Sequence, residues 1–145
     1  MTYAELGRTK QALQIEREVY FGHLKLKGEE HFETLQMANN YATTLLHLQR
    51  YGEAKSLLRK TVTVAHRVLG ADNRLTLTLR ANYALALCRD AGATLDDLRE
   101  ALNTLEAIRP TARRAAGSAH PLAMGIEAAL EQARDALRAR AATGA

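Results

Sequence analysis

The chain has 145 residues, of which 47% are hydrophobic, 5% are aromatic and two are proline. This length fits one domain, and a composition rich in Ala, Leu, Arg and Glu favours helices, so we expect an all-α protein. The net charge of +4 is scattered among acidic residues, which argues against a nucleic-acid partner. No run of apolar residues is long enough for a signal peptide or a membrane span.

Cysteine usage is minimal. Cys88 is the single cysteine, so it cannot form an intramolecular disulfide. Its alanine- and leucine-rich surroundings predict a small buried residue. A reducing compartment fits this usage, and we expect a cytoplasmic protein.

Helical periodicity recurs along the chain. Leu35, Ala38, Ala42 and Leu45 step by three and four residues, which is the spacing of one face of a helix. The segment QRYGEA that follows is too short for anything except a tight turn, so the helices on either side must lie antiparallel as a hairpin. In chain order the pattern predicts six helices, at residues 8–27, 32–49, 52–69, 74–91, 95–116 and 121–140.

Local signals mark several of these helix ends. Thr94, with Asp97 three residues later, is a capping-box-like start for the fifth helix. Pro121 suits the first turn of the sixth helix, where a missing N–H costs nothing. Pro110 is expected to kink or break the fifth helix because it removes a backbone hydrogen bond. The tail at residues 141–145 is expected to fray.

The sequence repeats itself at a distance of 42 residues. The matching pairs are Gly28 and Gly70, Thr34 and Thr76, Leu35 and Leu77, Asn40 and Asn82, Tyr41 and Tyr83, Ala42 and Ala84, and Leu45 and Leu87. A third copy of the junction, GSAHPLAM at 117–124, follows after 47 residues. Periods of this size indicate stacked supersecondary units. We therefore expect a single repeat domain over residues 1–145, with a partial unit at 1–27, units at 28–69 and 70–116, and a terminal capping helix at 117–141.

The repeat carries a recognisable motif. The junction Gly28, His31, Thr34 and Leu35 is followed by Asn39-Asn40-Tyr41-Ala42 and then by Tyr51-Gly52-Glu53-Ala54. This succession resembles the tetratricopeptide repeats of kinesin light chains, whose unit is also about 42 residues long, against ~34 for the ordinary unit. The resemblance implies an α-solenoid of stacked antiparallel hairpins. It weakens in the third unit, where Leu95-Asp96-Asp97-Leu98 replaces the Tyr-x-x-Ala turn, and the coiled-coil heptads of true light chains are not found.

The start of the chain falls within a unit. In the 42-residue register Tyr3 lies opposite Leu45 and Ala12 opposite Ala54, so the chain is expected to begin near the end of the first helix of a hairpin. Either it is a piece of a longer array, or another surface covers the flank of helix 8–27, because an uncapped repeat end exposes apolar surface.

The resemblance implies that the first helix of each hairpin lines a concave groove, and a polar stripe supports this independently. Polar residues step by four, three and four along the second helix, opposite its apolar face, and recur at matching places on the fourth. The predicted peptide-binding groove comprises Gln36, Asn39, Asn40, Thr43, His47, Thr78, Asn82 and Arg89.

Asparagine is the informative residue of this stripe. It is a poor helix former, yet Asn40 and Asn82 recur at mid-helix. A carboxamide offers a donor and an acceptor, so it can bind the backbone of an extended peptide. The alternatives are that the asparagines bridge neighbouring helices, or that the stripe is an ordinary solvated face. His47 and Arg89 would add a preference for an acidic ligand segment.

No catalytic or metal-binding pattern is found. The histidines His23, His31, His47, His66 and His120 lack metal-ligand spacing, and the recurrence of two of them at the junction indicates turn or cap residues. The acidic pairs at 29–30 and 96–97 stand at helix starts, where the helix dipole favours negative charge. With no phosphate loop or nucleophile elbow, we expect a non-catalytic chain without cofactor or metal.

The sequence favours an interaction scaffold that binds a peptide or a partner helix in its concave groove. The alternative is a structural or oligomerising segment whose uncovered repeat ends pair with another copy or with flanking repeats. Binding of RNA or DNA is a third and less favoured interpretation, and it would use Arg59, Lys60, Arg67, Arg74 and Arg80.

Overall fold

A computed structural model describes residues 1–143. This part of the chain is all-helical, which confirms the expected fold class. The six helices are α1 (Tyr3–Lys27), α2 (Phe32–His47), α3 (Tyr51–Leu69), α4 (Arg74–Arg89), α5 (Leu95–Ala116) and α6 (Pro121–Ala142). None of them is long and apolar enough to cross a membrane.

The repeated junctions end one hairpin and start the next. Gly28, Gly70 and Gly117 end α1, α3 and α5 with φ of +86°, +88° and +86°, a conformation that a side chain would strain. Three residues after each glycine comes the N-cap of the next helix, His31, Asn73 or His120. Each N-cap side chain accepts a hydrogen bond from the backbone N–H two residues later. The cap role predicted for the two junction histidines is confirmed.

The six helices form two layers. Each helix packs against its neighbours in sequence, and α4 also contacts α2 and α6, whereas α1, α3 and α5 make no contact with one another within residues 1–143. The even-numbered helices, here called the inner layer, are therefore closer together than the odd-numbered helices of the outer layer. This difference bends the stack so that the inner layer is concave.

Small residues allow the helices of this stack to pack closely. Ala42, Ala54, Ala84 and Ala101 are fully buried where helices cross. Large aliphatic side chains fill the space around them at interior density. The most buried of these are Leu35, Leu45, Leu58, Leu77, Leu79, Leu87, Leu105, Ile108, Ile126 and Leu130.

Several helices differ from the prediction in their bounds or their course. α3 begins at Tyr51 rather than residue 52, and α2 and α4 end at His47 and Arg89 rather than at residues 49 and 91. α1 begins at Tyr3 rather than residue 8, because Thr2 and Glu5 form a capping box at its start. Residues 3–7 are thus the first turns of α1 and not the end of a separate helix. No break occurs at Pro110, and α5 runs unbroken through it. Pro110 is exposed, whereas Ile108 and Ala112 on either side are buried, so packing holds the helix together.

The chain's last helix also differs from the prediction. α6 extends to Ala142, beyond the predicted end at residue 140. The expected fraying of the tail is wrong for residues 141 and 142, which form its last turn. The rest of that prediction includes residues 144–145, which lie outside the described residues.

The repeat at 70–116 is longer than the repeat at 28–69 only in its second helix and in the turn before that helix. α2 and α4 both have 16 residues, whereas α3 has 19 and α5 has 22. The turn within the hairpin also lengthens, from residues 48–50 to residues 90–94. The inner-layer helices therefore keep their length while the outer layer absorbs the insertion.

Candidate ligand-binding groove

The predicted polar stripe lies on the inner layer, on the surface that α2 and α4 turn away from their hairpin partners. Gln36, Asn40 and His47 are exposed on α2, and Asn39 and Thr43 beside them are half-buried. On α4 the stripe continues with Thr78 and Asn82, both half-buried, and the exposed Arg89. The structure thus brings all eight predicted residues onto one face of two adjacent helices. We call this face, together with its continuation on α6, the inner groove.

Two side-chain hydrogen bonds join neighbouring helices across the inner groove. The Asn82 amide nitrogen on α4 donates to Asn39 Oδ1 on α2 at 2.9 Å. Arg89 Nε on α4 donates to Gln132 Oε1 on α6 at 3.0 Å. The bridging alternative therefore holds for Asn82, and its partner is Asn39 rather than Asn40. Neither bond uses all the donors and acceptors of its amide groups, so these groups can also bind a ligand.

Of the remaining residues of the polar stripe, two donate hydrogen bonds within their own helix, and three make no side-chain hydrogen bond within residues 1–143. The Thr43 hydroxyl donates to the backbone oxygen of Asn39 at 2.9 Å, and the Thr78 hydroxyl donates to that of Arg74 at 2.8 Å. Within residues 1–143 the side chains of Gln36, Asn40 and His47 make no hydrogen bond and point into solvent. These three side chains are the ones available to a ligand without any rearrangement.

Cys88 lies beside the inner groove but is a poor nucleophile. It is half-buried near the end of α4, and its thiol donates to Leu85 O at 3.7 Å. Burial raises the pKa of the thiol, and the nearby Arg89 offsets this only in part. A raised pKa reduces the thiolate fraction, which is the reactive species.

Several of the charged residues considered in the sequence have structural partners. Asp97 accepts a hydrogen bond from the backbone N–H of Thr94, which is the main cause of its lowered pKa. Arg67 donates to Glu30 Oε1 at 2.9 Å, and Arg59 donates to the Tyr83 hydroxyl. No group of three or more His, Cys, Asp or Glu side chains in the described part of the chain could hold a metal ion.

Sequence reasoning missed the contribution of α6. Gln132 follows Arg89 at 43 residues, the same separation as between Asn39 and Asn82. That recurrence was the available signal. It was hidden because the third junction is offset by 47 residues, which aligns Gln132 with Leu85 instead.

The fold and its repeated junctions match a known family. Residues 33–94, from the first turn of α2 to the turn before α5, match the model of the tetratricopeptide repeat family. This segment of the chain is similar to tetratricopeptide repeats. Tetratricopeptide repeats generally mediate protein–protein interaction, and the family is of a non-catalytic scaffold type.

Proteins named clustered mitochondria protein homolog contain a segment similar to these tetratricopeptide repeats. Over 104 residues the chain is 27% identical to the one from Ajellomyces capsulatus, 29% to that from Aspergillus oryzae and 30% to that from Coccidioides immitis. The similarity covers 70%, 67% and 67% of this chain, respectively. The chain spans about 8% of the length of each of these relatives.

Proposed function

We propose that this chain is a non-catalytic scaffold that binds an extended peptide or a partner helix in its inner groove. The observation that carries the proposal is the row of carboxamides, Gln36, Asn39, Asn40 and Asn82, on the concave side of adjacent helices. Amides that retain unused donors and acceptors can hydrogen-bond a peptide backbone whatever its sequence. Because the groove is built on packed helices, it is preformed, and binding costs little ordering entropy.

The charges in the inner groove favour an acidic ligand segment. Arg89 contacts the neutral Gln132, so no carboxylate neutralises it there. His47 is exposed at the end of α2 on the same face. A ligand carboxylate would gain a charge-assisted hydrogen bond from Arg89 in place of the bond to the amide.

The type of repeat, the domain bounds and the cellular location are part of the same proposal. The 42-residue unit and the Tyr51-Gly52-Glu53-Ala54 turn support the kinesin light chain-like type of tetratricopeptide repeat. We take residues 1–145 as one repeat domain with units at 28–69 and 70–116, and place it in the cytoplasm. Imaging of a tagged chain checks the location.

The proposal is tested by peptide capture on the purified chain. A phage library of short random peptides is selected on the wild type and on an Asn40→Ala, Asn82→Ala double variant. Circular dichroism verifies that the variant is folded. The expected result is a shared motif that the wild type enriches and the double variant loses.

A matched control comes from the outer layer. Asn103 is exposed on α5, so Asn103→Ala removes the same group away from the inner groove and is expected to bind as the wild type does. Equal enrichment by the wild type and the double variant would contradict groove binding. Loss of the motif in the Asn103→Ala variant as well would point to a general effect on stability.

A second candidate function, a structural or oligomerising segment, rests on the apolar surface of α1. Ile15 is 60% exposed, whereas Leu57, its counterpart 42 residues later, is 8% exposed beneath α2. Most of the exposed large apolar side chains lie at this end of the stack, at Met1, Tyr3, Ile15, Phe21, Leu26 and Phe32. Exposed apolar surface concentrated at one end of a molecule is typical of interfaces.

Light scattering over a concentration series tests this second candidate. Association through α1 would give dimers or larger species that Ile15→Ser disrupts. Met124→Ser, which changes an apolar residue of similar exposure on α6 (59%), is the matched control and is expected to leave the association unchanged. A chain that is monomeric throughout the series would remove this candidate.

A further inference from the structure

The two tyrosines of the repeat, Tyr41 and Tyr83, lie in crevices between successive outer-layer helices. Tyr83 points between α3 and α5, and Tyr41 points between α1 and α3. The sequence makes these positions equivalent, since they are 42 residues apart in matching motifs. The structure makes them different, because only the second crevice is closed by side chains of the chain itself.

The second crevice is closed by a polar bridge. Arg59 on α3 donates to the Tyr83 hydroxyl at 3.2 Å, and that hydroxyl donates to Glu100 Oε1 on α5 at 3.2 Å. The guanidinium also lies over the Tyr83 ring, 5.9 Å from its centroid. The hydrogen bond from Arg59 and the charges of Glu100 and Asp97 accompany this arrangement and raise the pKa of Arg59. Tyr83 is left only 8% exposed.

The first crevice has the arginine but not the bridge. Arg17 is the counterpart of Arg59 at 42 residues. The carboxylate that lines this crevice, Glu53, is paired with Arg50 instead. No bridge forms in the described part of the chain: the Tyr41 hydroxyl makes no hydrogen bond, and Arg17 lies over Phe21 instead, 5.8 Å from the ring centroid.

The first crevice is consequently open and positively charged. It encloses about 690 Å³, within the range of ligand pockets. Its apolar lining comes from Leu6, Leu13, Phe21, Tyr41 and Leu48.

The charges around this lining do not balance. Arg50 is neutralised by Glu53, to which it donates two bonds at 2.7 and 2.8 Å from one nitrogen. Lys10 and Arg17 form no ion pair within residues 1–143. Glu53 is the carboxylate of this lining and is paired with Arg50, so the two cations face the crevice unpaired.

We infer that the crevice between α1 and α3 binds a peptide segment of a partner protein that carries an Asp or Glu next to an apolar side chain. The ligand carboxylate accepts hydrogen bonds from Arg17 and the Tyr41 hydroxyl, as Glu100 accepts one from the Tyr83 hydroxyl in the second crevice. The neighbouring apolar side chain packs on Leu13 and Leu48. This site lies on the outer layer and is separate from the inner groove.

The test uses two phage libraries of short random peptides, one with a fixed Asp or Glu and one with Asn or Gln at that position. The sharpest variant is Arg17→Gln, which removes the charged donor to the ligand carboxylate. Arg59→Gln, the equivalent change in the second crevice, is the matched control. Circular dichroism confirms the folding of every variant used.

The expected result is enrichment from the acidic library alone. A peptide from that selection should bind Arg17→Gln at least about tenfold more weakly than the wild type, as loss of a charged hydrogen bond predicts. The equivalent change in the closed crevice, Arg59→Gln, should leave binding unchanged. Because Asn82→Ala removes the inner groove and not this crevice, it should also bind normally, which separates this inference from the proposed function.

Three outcomes would overturn the inference. The first is equal enrichment from the acidic and the amide library. The second is undiminished binding by Arg17→Gln. The third is a dimer in light scattering that Phe21→Ser disrupts, which would assign the crevice to a second copy of the chain.

Discussion

The side chain of Asn82 donates a 2.9 Å hydrogen bond to that of Asn39, across the boundary between two repeats. The 42-residue register pairs Asn82 with Asn40, its equivalent in sequence. The residues that contact each other across the boundary are not the equivalent residues of the two repeats, because stacked helices are offset along their axes. Asn40 is thereby left in solvent, and Asn39 becomes the structural member of the pair.

This bond predicts different effects for neighbouring asparagines. Asn39→Ala and Asn82→Ala should each lower the free energy of unfolding by about 1 kcal/mol, and the double variant by less than the sum. Asn40→Ala, one residue away and exposed, should have almost no effect on stability. Urea denaturation of the four variants completes the double-mutant cycle. Additive effects of the two changes would contradict a direct bond.

The junction histidines predict a chemically specific cap. His120→Ala should destabilise the chain by about 1 kcal/mol, because the backbone N–H of Leu122 loses its acceptor. His120→Asn should retain most of the stability, since Asn73 does the same work at the preceding junction. Thermal unfolding compares the two variants. Equal loss in both would show that the imidazole contributes through packing instead.

A buried hydroxyl without a partner predicts a stabilising substitution. Thr34 Oγ1 is buried within residues 1–143 and makes no hydrogen bond. Thr34→Val keeps the shape and removes the desolvation penalty, so it should raise the free energy of unfolding by up to about 1 kcal/mol. Thr76→Val is the matched control, because Thr76 donates to Ala65 O at 3.4 Å and the change should be neutral or destabilising. Destabilisation by Thr34→Val would refute the argument.

Glu127 predicts a dependence of stability on pH. Hydrogen bonds from Arg109, and then Arg113, lower its pKa below the ordinary value of 4.5. A carboxyl whose pKa is lowered in the folded state stabilises the chain fully above its unfolded pKa, and this contribution is lost as pH falls through the folded pKa. Glu127→Gln should therefore be less stable than the wild type at neutral pH, and the gap should close below about pH 4.

Chemical denaturation across that pH range measures the gap. Glu131→Gln on the same helix is the control, because Glu131 is exposed and forms no ion pair within residues 1–143. The difference in stability between Glu131→Gln and the wild type should not change with pH. A difference between Glu127→Gln and the wild type that stays constant with pH would contradict the assignment.

Most of the fold could be predicted because its signals are local and repeated. Gly28 and Gly70 stand where the backbone needs positive φ, and a cap residue follows each at a fixed distance. The course of α5 could not be predicted from Pro110 alone, because burial of Ile108 and Ala112 outweighs one missing hydrogen bond. Tertiary packing determines the course of α5, and the helix propensities of the residues carry no information about packing.

The candidate site was predicted in its placement but not in its pairings. The periodicity of α2 correctly puts Gln36, Asn40 and His47 in solvent. It carries no information on the offset between α2 and α4, which selects Asn39 as the partner of Asn82. The crevice at Tyr41 was missed for a similar reason, since Arg17 and Tyr41 are remote in sequence and line it together only in the folded chain.

The fixed length of α2 and α4 has a consequence for how such a protein can vary. The three additional residues of α5 relative to α3 add about 4.5 Å of helix on the convex side, where no neighbouring outer helix is in contact. Insertions and deletions there leave the spacing of the amide row untouched. Repeats of unequal length can therefore share one continuous recognition surface, because this surface constrains the length of only the first helix of each hairpin.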